Sequence, residues 1–315
     1  MSYPPDMAVA AVGTWRKPAL SFRAGTLLGM LFLAVVGMLR ADPLQKLPNC
    51  LLVPTEWADG DSFLIRSPDK QEFTARLYGV DCVEWHIDDA TDERRLREQR
   101  RYFGITHAKP TASGSIEIAK GFGAKAAAEV SGLLAKPFTV YTTFADARGD
   151  GRHKRVYVFV ICADGSDLGA TLVSKGLARA FGVARQTWDG RTQNDYREYL
   201  ADLELQAAKR AAGIWAITDW ENLPNERQQQ RREDQETELA FDNQPLADGK
   251  KLDPNTAARD ELMQLPGIGE MMANRMIENR PYEKSDDLLK VPGIGPTTLQ
   301  KILPHLNLSR SQTLK

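Results

Sequence analysis

Two acidic clusters and one arginine stand out for their spacing. The first stretch reads Asp59-Gly60-Asp61-Ser62-Phe63-Leu64-Ile65-Arg66. After a polar turn the second reads Thr74-Ala75-Arg76-Leu77-Tyr78-Gly79-Val80-Asp81-Cys82-Val83-Glu84. Carboxylates such as Asp61 and Asp81 are hard oxygen donors, and with a main-chain carbonyl and waters they suit Ca²⁺. Glu84, three residues past Asp81, is placed to orient or deprotonate a water. The guanidinium of Arg76 is a planar fork matched to phosphate oxygens. Together these groups have the chemistry of a phosphodiester site. The bland alternative is an Asp-Gly turn with solvated charges.

For that chemistry the two stretches must be paired strands, and the flanking sequence supplies partners. Leu51-Leu52-Val53, Phe63-Leu64-Ile65 and Phe73 to Tyr78 are short, apolar and turn-bounded. Phe138 to Phe144 is a further strand, and Arg155-Val156-Tyr157-Val158-Phe159-Val160-Ile161 alternates with period two. Helices are predicted over 122–134, 167–176 and 196–212. The excursion from Trp85 to Thr111 carries a helix with an acidic start (Asp92, Glu93) and a basic body (Arg94 to Arg101). It reads equally as a solvated face or as a basic ridge beside the cleft. Strands and helices in this mixture give an α+β class.

The pattern Asp-Gly-Asp-Ser-Phe followed by Arg-Leu-Tyr-Gly-Val-Asp-Cys-Val-Glu resembles the signature of the staphylococcal-nuclease-like (thermonuclease) family. The resemblance spans roughly residues 50–217. It implies a five-stranded OB-fold-like barrel with helices. It makes Asp61 and Asp81 the calcium carboxylates, the Cys82 carbonyl a third ligand, Glu84 the base and Arg76 a phosphate clamp. It also implies hydrolysis of DNA and RNA leaving 3′-phosphates. The family's second arginine starts a hairpin strand. Arg155 matches that spacing and shares a strand face with Tyr157 and Phe159, leaving the valines for the core; Arg152, after Gly151, is the fallback. Val83 replaces the family's usual proline and Cys82 a common threonine. The tyrosines that contact the nucleobase, just after the Gly-Leu-Ala stretch, have no counterpart near Gly176-Leu177-Ala178.

A second module follows. Leu265-Pro266-Gly267-Ile268-Gly269 recurs 26 residues later as Val291-Pro292-Gly293-Ile294-Gly295, each copy between short helices. Glycines let the backbone approach closely and leave N–H groups for a phosphate at the next helix start, without reading bases. This resembles the tandem helix-hairpin-helix domain of competence-type DNA-uptake proteins, a small all-α domain. Gly267, Ile268, Gly269, Gly293, Ile294 and Gly295 are its implied DNA contacts. Residues 252–309 form this module, and the Gln- and Arg-rich stretch 218–251 is a polar linker.

The chain has 315 residues, 26 % of them charged, with a net charge of −1. Nucleic-acid contact must therefore use local patches rather than a global basic field. Cys50, Cys82 and Cys162 lack metal-type spacing and read as buried thiols. In residues 1–49, Arg16, Lys17 and Arg23 precede an apolar run, Ala24 to Leu39, shorter than the about 20 residues of a bilayer span. This reads as a signal peptide or uncleaved signal anchor, placing the rest outside the cytoplasm. Two functions follow: an exported calcium-dependent nuclease held on DNA by its tail, or a non-catalytic, membrane-anchored DNA-uptake receptor.

Overall fold

The computed structural model describes residues 43–147, 155–242 and 251–308. The segment expected to be a signal or anchor lies outside them up to residue 42, as does Arg152. No helix among the described residues is long and apolar enough to cross a membrane.

Five strands close into a barrel in the order β1-β2-β3-β6-β5. They are β1 (Gln45–Val53), β2 (Ser62–Arg66), β3 (Glu72–Leu77), β5 (Phe138–Asp146) and β6 (Arg155–Ile161). β4 (Val80–Cys82) and β7 (Ala178–Ala180) form a separate antiparallel pair. β1 begins at Gln45, so the barrel starts before the expected boundary at residue 50. β3 and β6 run parallel, and the other barrel pairs are antiparallel.

The barrel interior is apolar, with Phe63, Ile65, Ala75, Val140, Val158 and Val160 fully buried. The expected division of β6 into a valine core face and an open aromatic face does not hold. Tyr157 and Phe159 are buried too, because Tyr78, Trp188 and Tyr196 stack over them. Tyr196 belongs to α4 (Gln193–Lys209), which packs with α3 (Leu168–Ser174) outside the barrel. A strand covered on both faces has no solvent side for its alternation to report. The three cysteines are buried free thiols.

Two helices follow the second acidic cluster. α1 (Ala90–Tyr102) is capped by Asp89, whose side chain accepts from Thr91 and Asp92 N–H groups. α2 (Ala112–Leu133) starts ten residues before the expected position, behind the Thr111 cap. Its buried residues Ser115, Ala119, Gly123, Ala126 and Val130 are small and recur at helical spacing. That stripe lets α2 lie against the acidic loop. The stretch expected to be a linker is a helix in its described part, α5 (Leu223–Asp242). α5 packs on α1 through Arg101 with Glu233 and Thr106 with Glu226. Polar contacts hold it, so apolar periodicity could not announce it.

The tail is all-helical: α6 (Arg259–Leu262), α7 (Glu270–Glu278), a 3₁₀ turn (Ser285–Lys290) and α8 (Pro296–Ile302). Its own core includes Leu262, Leu265, Ile268, Met276, Leu288 and Ile294. It also meets the barrel domain. Glu278, its side chain 1 % exposed, pairs with Arg197 and accepts from the Ala184 N–H at 2.8 Å.

Gly123 gives a test of the α2 seat. A Cβ there would meet the Val83 carbonyl oxygen at 2.3 Å and Trp85 Cβ at 2.9 Å. At Gly121 nothing lies within 4 Å. Gly→Ala in a helix ordinarily stabilises by about 1 kcal/mol, and Gly121→Ala should do so. Gly123→Ala should instead lose about 1–3 kcal/mol, because overpacking outweighs propensity. Urea unfolding of both variants checks the opposite signs.

Candidate active site

Strand register brings the chemistry-bearing residues together. Ser62 pairs with Arg76 across β2 and β3, which sets Asp61 beside Arg76. Thr74 pairs with Arg155 across β3 and β6. Asp81 pairs with Arg179 across β4 and β7. Gly79, at φ 68°, turns the chain from β3 into β4 with a left-handed backbone that favours glycine.

Arg76 is the centre. One Nη donates to Asp61 Oδ1, and the other donates to Asp81 Oδ1 at 3.0 Å. The remaining Asp61 oxygen accepts from the Cys82 N–H at 2.7 Å. Asp81 Oδ2 accepts from Arg179 Nε at 2.8 Å and from Gln99 Nε2 at 2.9 Å. Asp61, Arg76, Asp81, Arg155 and Arg179 are all buried. Ser62 Oγ donates to Asp61 Oδ1 at 3.1 Å and accepts from Arg155 Nη1 at 3.4 Å. All the expected catalytic and ligand positions except Arg152 are thus described, and they converge: Asp61, Arg76, Asp81, Cys82, Glu84 and Arg155. Arg155 lines the cleft, and Arg152 lies outside the described residues.

The cleft, of about 110 Å³, is lined by Asp59, Ser62, Glu84, Arg95 and Arg155, with Trp57 and His86 also bordering it. Glu84 is buried, and Arg95 Nη1 lies 3.4 Å from its Oε1. Burial pushes the Glu84 carboxyl up to about 7; Arg95 opposes this, while Asp61 and Asp81 reinforce it. Burial also pushes Asp59 well up, with Asp61 and Glu84 adding to the effect. Burial alone would raise Asp81 as well, but the Arg179 and Arg76 guanidiniums hold it below the usual carboxylate range. Burial would lower Arg76, and the surrounding carboxylates instead raise it well above its ordinary value.

Sequence reasoning missed four members: Asp59, Arg95, Gln99 and Arg179. Asp59 stood in the first acidic motif without a role, and Arg179 directly follows the Gly176-Leu177-Ala178 stretch. Arg95 and Gln99 sit four apart on the inward face of α1, whereas Arg94 and Arg97 pair with Glu98 and Glu93 on the helix itself. Both readings of the basic helix are therefore partly met. Nothing in its composition distinguishes the inward pair from its neighbours.

The donor set fits a hard divalent cation. Asp61, Asp81 and the Cys82 carbonyl are oxygen donors of the kind Ca²⁺ takes, with Glu84 and Asp59 alongside. Asp59 and Glu84 both resist ionisation next to their like-charged neighbours, which a cation would relieve. Among the described residues no three His, Cys, Asp or Glu side chains converge as a ligand cluster. Asp61 and Asp81 are engaged by Arg76, so a cation would have to share or replace that partner.

In the tail, Gly267 (φ 76°) and Gly293 (φ 101°) are left-handed, and Gly269 and Gly295 cap α7 and α8 without side-chain capping bonds. Ile268 and Ile294 have core side chains, and their N–H groups donate to the Leu265 and Val291 carbonyls. The second hairpin is the more open one: Pro292 and Gly293 are exposed, whereas Pro266 is buried.

Residues 74–217 match the family model described as staphylococcal nuclease homologue, and residues 247–307 match the helix-hairpin-helix motif. The chain carries a staphylococcal nuclease domain followed by a helix-hairpin-helix motif, on an OB-fold-like barrel and a helical tail. No curated protein matches the sequence. The nuclease match covers Arg76, Asp81, Glu84 and Arg155 and begins after Asp61.

Arg76→Ala should test the central network. It strips the shared partner from two buried carboxylates. Breaking such a pair costs roughly 3–5 kcal/mol. Urea unfolding at pH 8 should show a loss in that range, whatever happens to activity.

Proposed function

We propose that the chain is a calcium-dependent phosphodiester hydrolase acting on DNA. The carrying observation is that Arg76 joins Asp61 and Asp81 directly beside a cleft that Glu84 and Arg155 line. The two domain matches support a nuclease that binds DNA. RNA is a second substrate under the same chemistry. Calcium, held by Asp61, Asp81 and the Cys82 carbonyl, would supply positive charge to the phosphoryl oxygens and the attacking oxygen.

The chain's own residues then have separate tasks. Glu84 takes the proton from a water as its oxygen forms a bond to phosphorus. Arg76 and Arg155 donate to the phosphoryl oxygens, where negative charge grows in the transition state. The bond from phosphorus to the 5′ oxygen breaks, and that oxygen takes a proton from solvent water while the Glu84 carboxyl later returns its own to solvent. A 3′-phosphate and a 5′-hydroxyl result. Arg155 lines the cleft itself, whereas Arg76 lies behind it holding two carboxylates.

The tail gives affinity without sequence preference, through N–H groups at glycine-rich hairpins. We also propose export, which rests on the basic flank and apolar run of the first 40 residues. Cleavage of supplied DNA separates this reading from a non-catalytic, membrane-anchored receptor.

Glu84→Gln should lower cleavage by about 10²–10⁴-fold, the contribution of a positioned general base. Its gel shift of duplex DNA in EDTA should match wild type. Normal turnover by this variant would refute the base assignment.

The pH profile has a definite sign. Glu84 works as a base only when ionised. With the carboxyl near 7, kcat should fall as pH drops below neutrality and level off above it. Added positive charge from bound Ca²⁺ favours the carboxylate, so the midpoint should move down as Ca²⁺ is raised. A profile flat from pH 5 to 8 at limiting Ca²⁺ would contradict this assignment.

A further inference from the structure

We infer that Gln99 is a positioning residue that ties three parts of the acidic loop into one rigid unit. The inference rests on the cleft acting as the nuclease site described above. Gln99 is 0 % exposed and projects from α1, outside both motif stretches. Its Oε1 accepts from the Glu84 N–H at 2.8 Å. Its Nε2 donates to the Cys82 carbonyl at 2.8 Å and to Asp81 Oδ2 at 2.9 Å. One planar amide thus holds the main chain of the base, the carbonyl proposed as a ligand, and the carboxylate proposed as a ligand.

The chemistry of the site leaves little freedom in residue type. A backbone N–H needs an acceptor, while a carbonyl and a carboxylate each need a donor. That fixes which end of the amide is oxygen. Glutamine offers one acceptor and two donors on one group. Glutamate would turn acceptors toward Asp81 and the carbonyl. Asparagine is one methylene shorter. Methionine keeps the bulk and loses all three bonds.

The arrangement is compatible with a cation rather than a substitute for one. A carbonyl oxygen has two lone pairs, so Gln99 can hold the Cys82 carbonyl while the second lone pair stays available to a cation. Asp81 Oδ2 is fixed by Gln99 and Arg179, which leaves Oδ1, now on Arg76, as the oxygen that can exchange partner. Groups that orient metal ligands in this way set affinity as well as geometry. Leu96 and the C-cap residue Phe103 pack with Val83 of the loop and with Ile105, Ala119 and Trp215 in an apolar cluster separate from the barrel core.

The test uses the full chain and three proteins: wild type, Gln99→Met and Leu96→Ala. The Leu96 variant loosens the same helix and its apolar seat beside Val83 while leaving every Gln99 hydrogen bond in place. The first readout is the rise in Tm with added Ca²⁺, which tracks affinity through mass action and needs no catalysis. The second is the separation of kcat from KM on linear duplex DNA. In Gln99→Met the Ca²⁺ concentration for a given rise in Tm should increase roughly 10- to 100-fold. Its kcat should fall with KM for DNA unchanged. Leu96→Ala should lower Tm in EDTA yet keep the wild-type Ca²⁺ dependence. Wild-type Ca²⁺ response and kcat in Gln99→Met would overturn the inference. So would equal shifts in Leu96→Ala, which would make Gln99 mere packing. A wild-type chain that cuts DNA while its Tm ignores Ca²⁺ overturns this inference and leaves the nuclease reading intact. A wild-type chain that neither responds nor cuts overturns both.

Discussion

The site depends on one buried guanidinium shared by two carboxylates. Asp61 and Asp81 lie on different turns of the chain, and without Arg76 their charges would repel in a space with little water. An isolated buried carboxylate either finds a partner or takes up a proton. Arg76 supplies the partner for both, so the two strand ends close on each other rather than splay. The barrel register serves this contact: Ser62 opposite Arg76 sets the first half, and the Gly79 turn delivers Asp81 to the second.

Around that centre the buried charges are paired. Asp61 and Asp81 share Arg76, Asp81 also holds Arg179, and Glu84 faces Arg95. Pairing explains how so many ionisable groups stay buried in a folded chain. It also shapes the reaction. A phosphodiester brings its own negative charge, and a cleft lined by Asp59, Glu84, Asp88 and Asp92 against Arg95 and Arg155 gives it little net attraction. Extra positive charge must come from somewhere. Asp59 and Glu84, both reluctant to ionise, mark the side where a cation would be best received. The same crowding gives the proposed base an affinity for protons far above that of an ordinary glutamate, which suits proton transfer near neutral pH.

What the sequence disclosed follows from where the constraint is local. Asp61, Arg76, Asp81 and Glu84 stand on two strands and the turns beside them, so their spacing carries their geometry. Arg155 was legible through the alternation of β6, although the face it shares with Tyr157 and Phe159 proved buried rather than open. Arg95 and Gln99 were not legible. A helix rich in charge looks alike from every side until its packing is known, and only some of its polar residues turn inward. α5 was hidden for a related reason. Its described contacts with α1 and the loop after it are mostly ion pairs and hydrogen bonds, with Leu223 the buried apolar residue at its start.

The helix that sequence alone left undecided is therefore part of the site. α1 is seated by Leu96 and Phe103 in an apolar cluster separate from the barrel core. From that seat Arg95 reaches the proposed base and Gln99 the proposed ligands. α5 braces α1 from outside through Arg101 and Glu233, and the tail lies against the barrel domain through Glu278. The conformation of the acidic loop is thus set by more than the two strands that carry it. A barrel alone can bring carboxylates close. Holding the Cys82 carbonyl and the Glu84 main chain in fixed relation to Asp81 takes a group that donates and accepts at once, and here that group comes from outside the barrel.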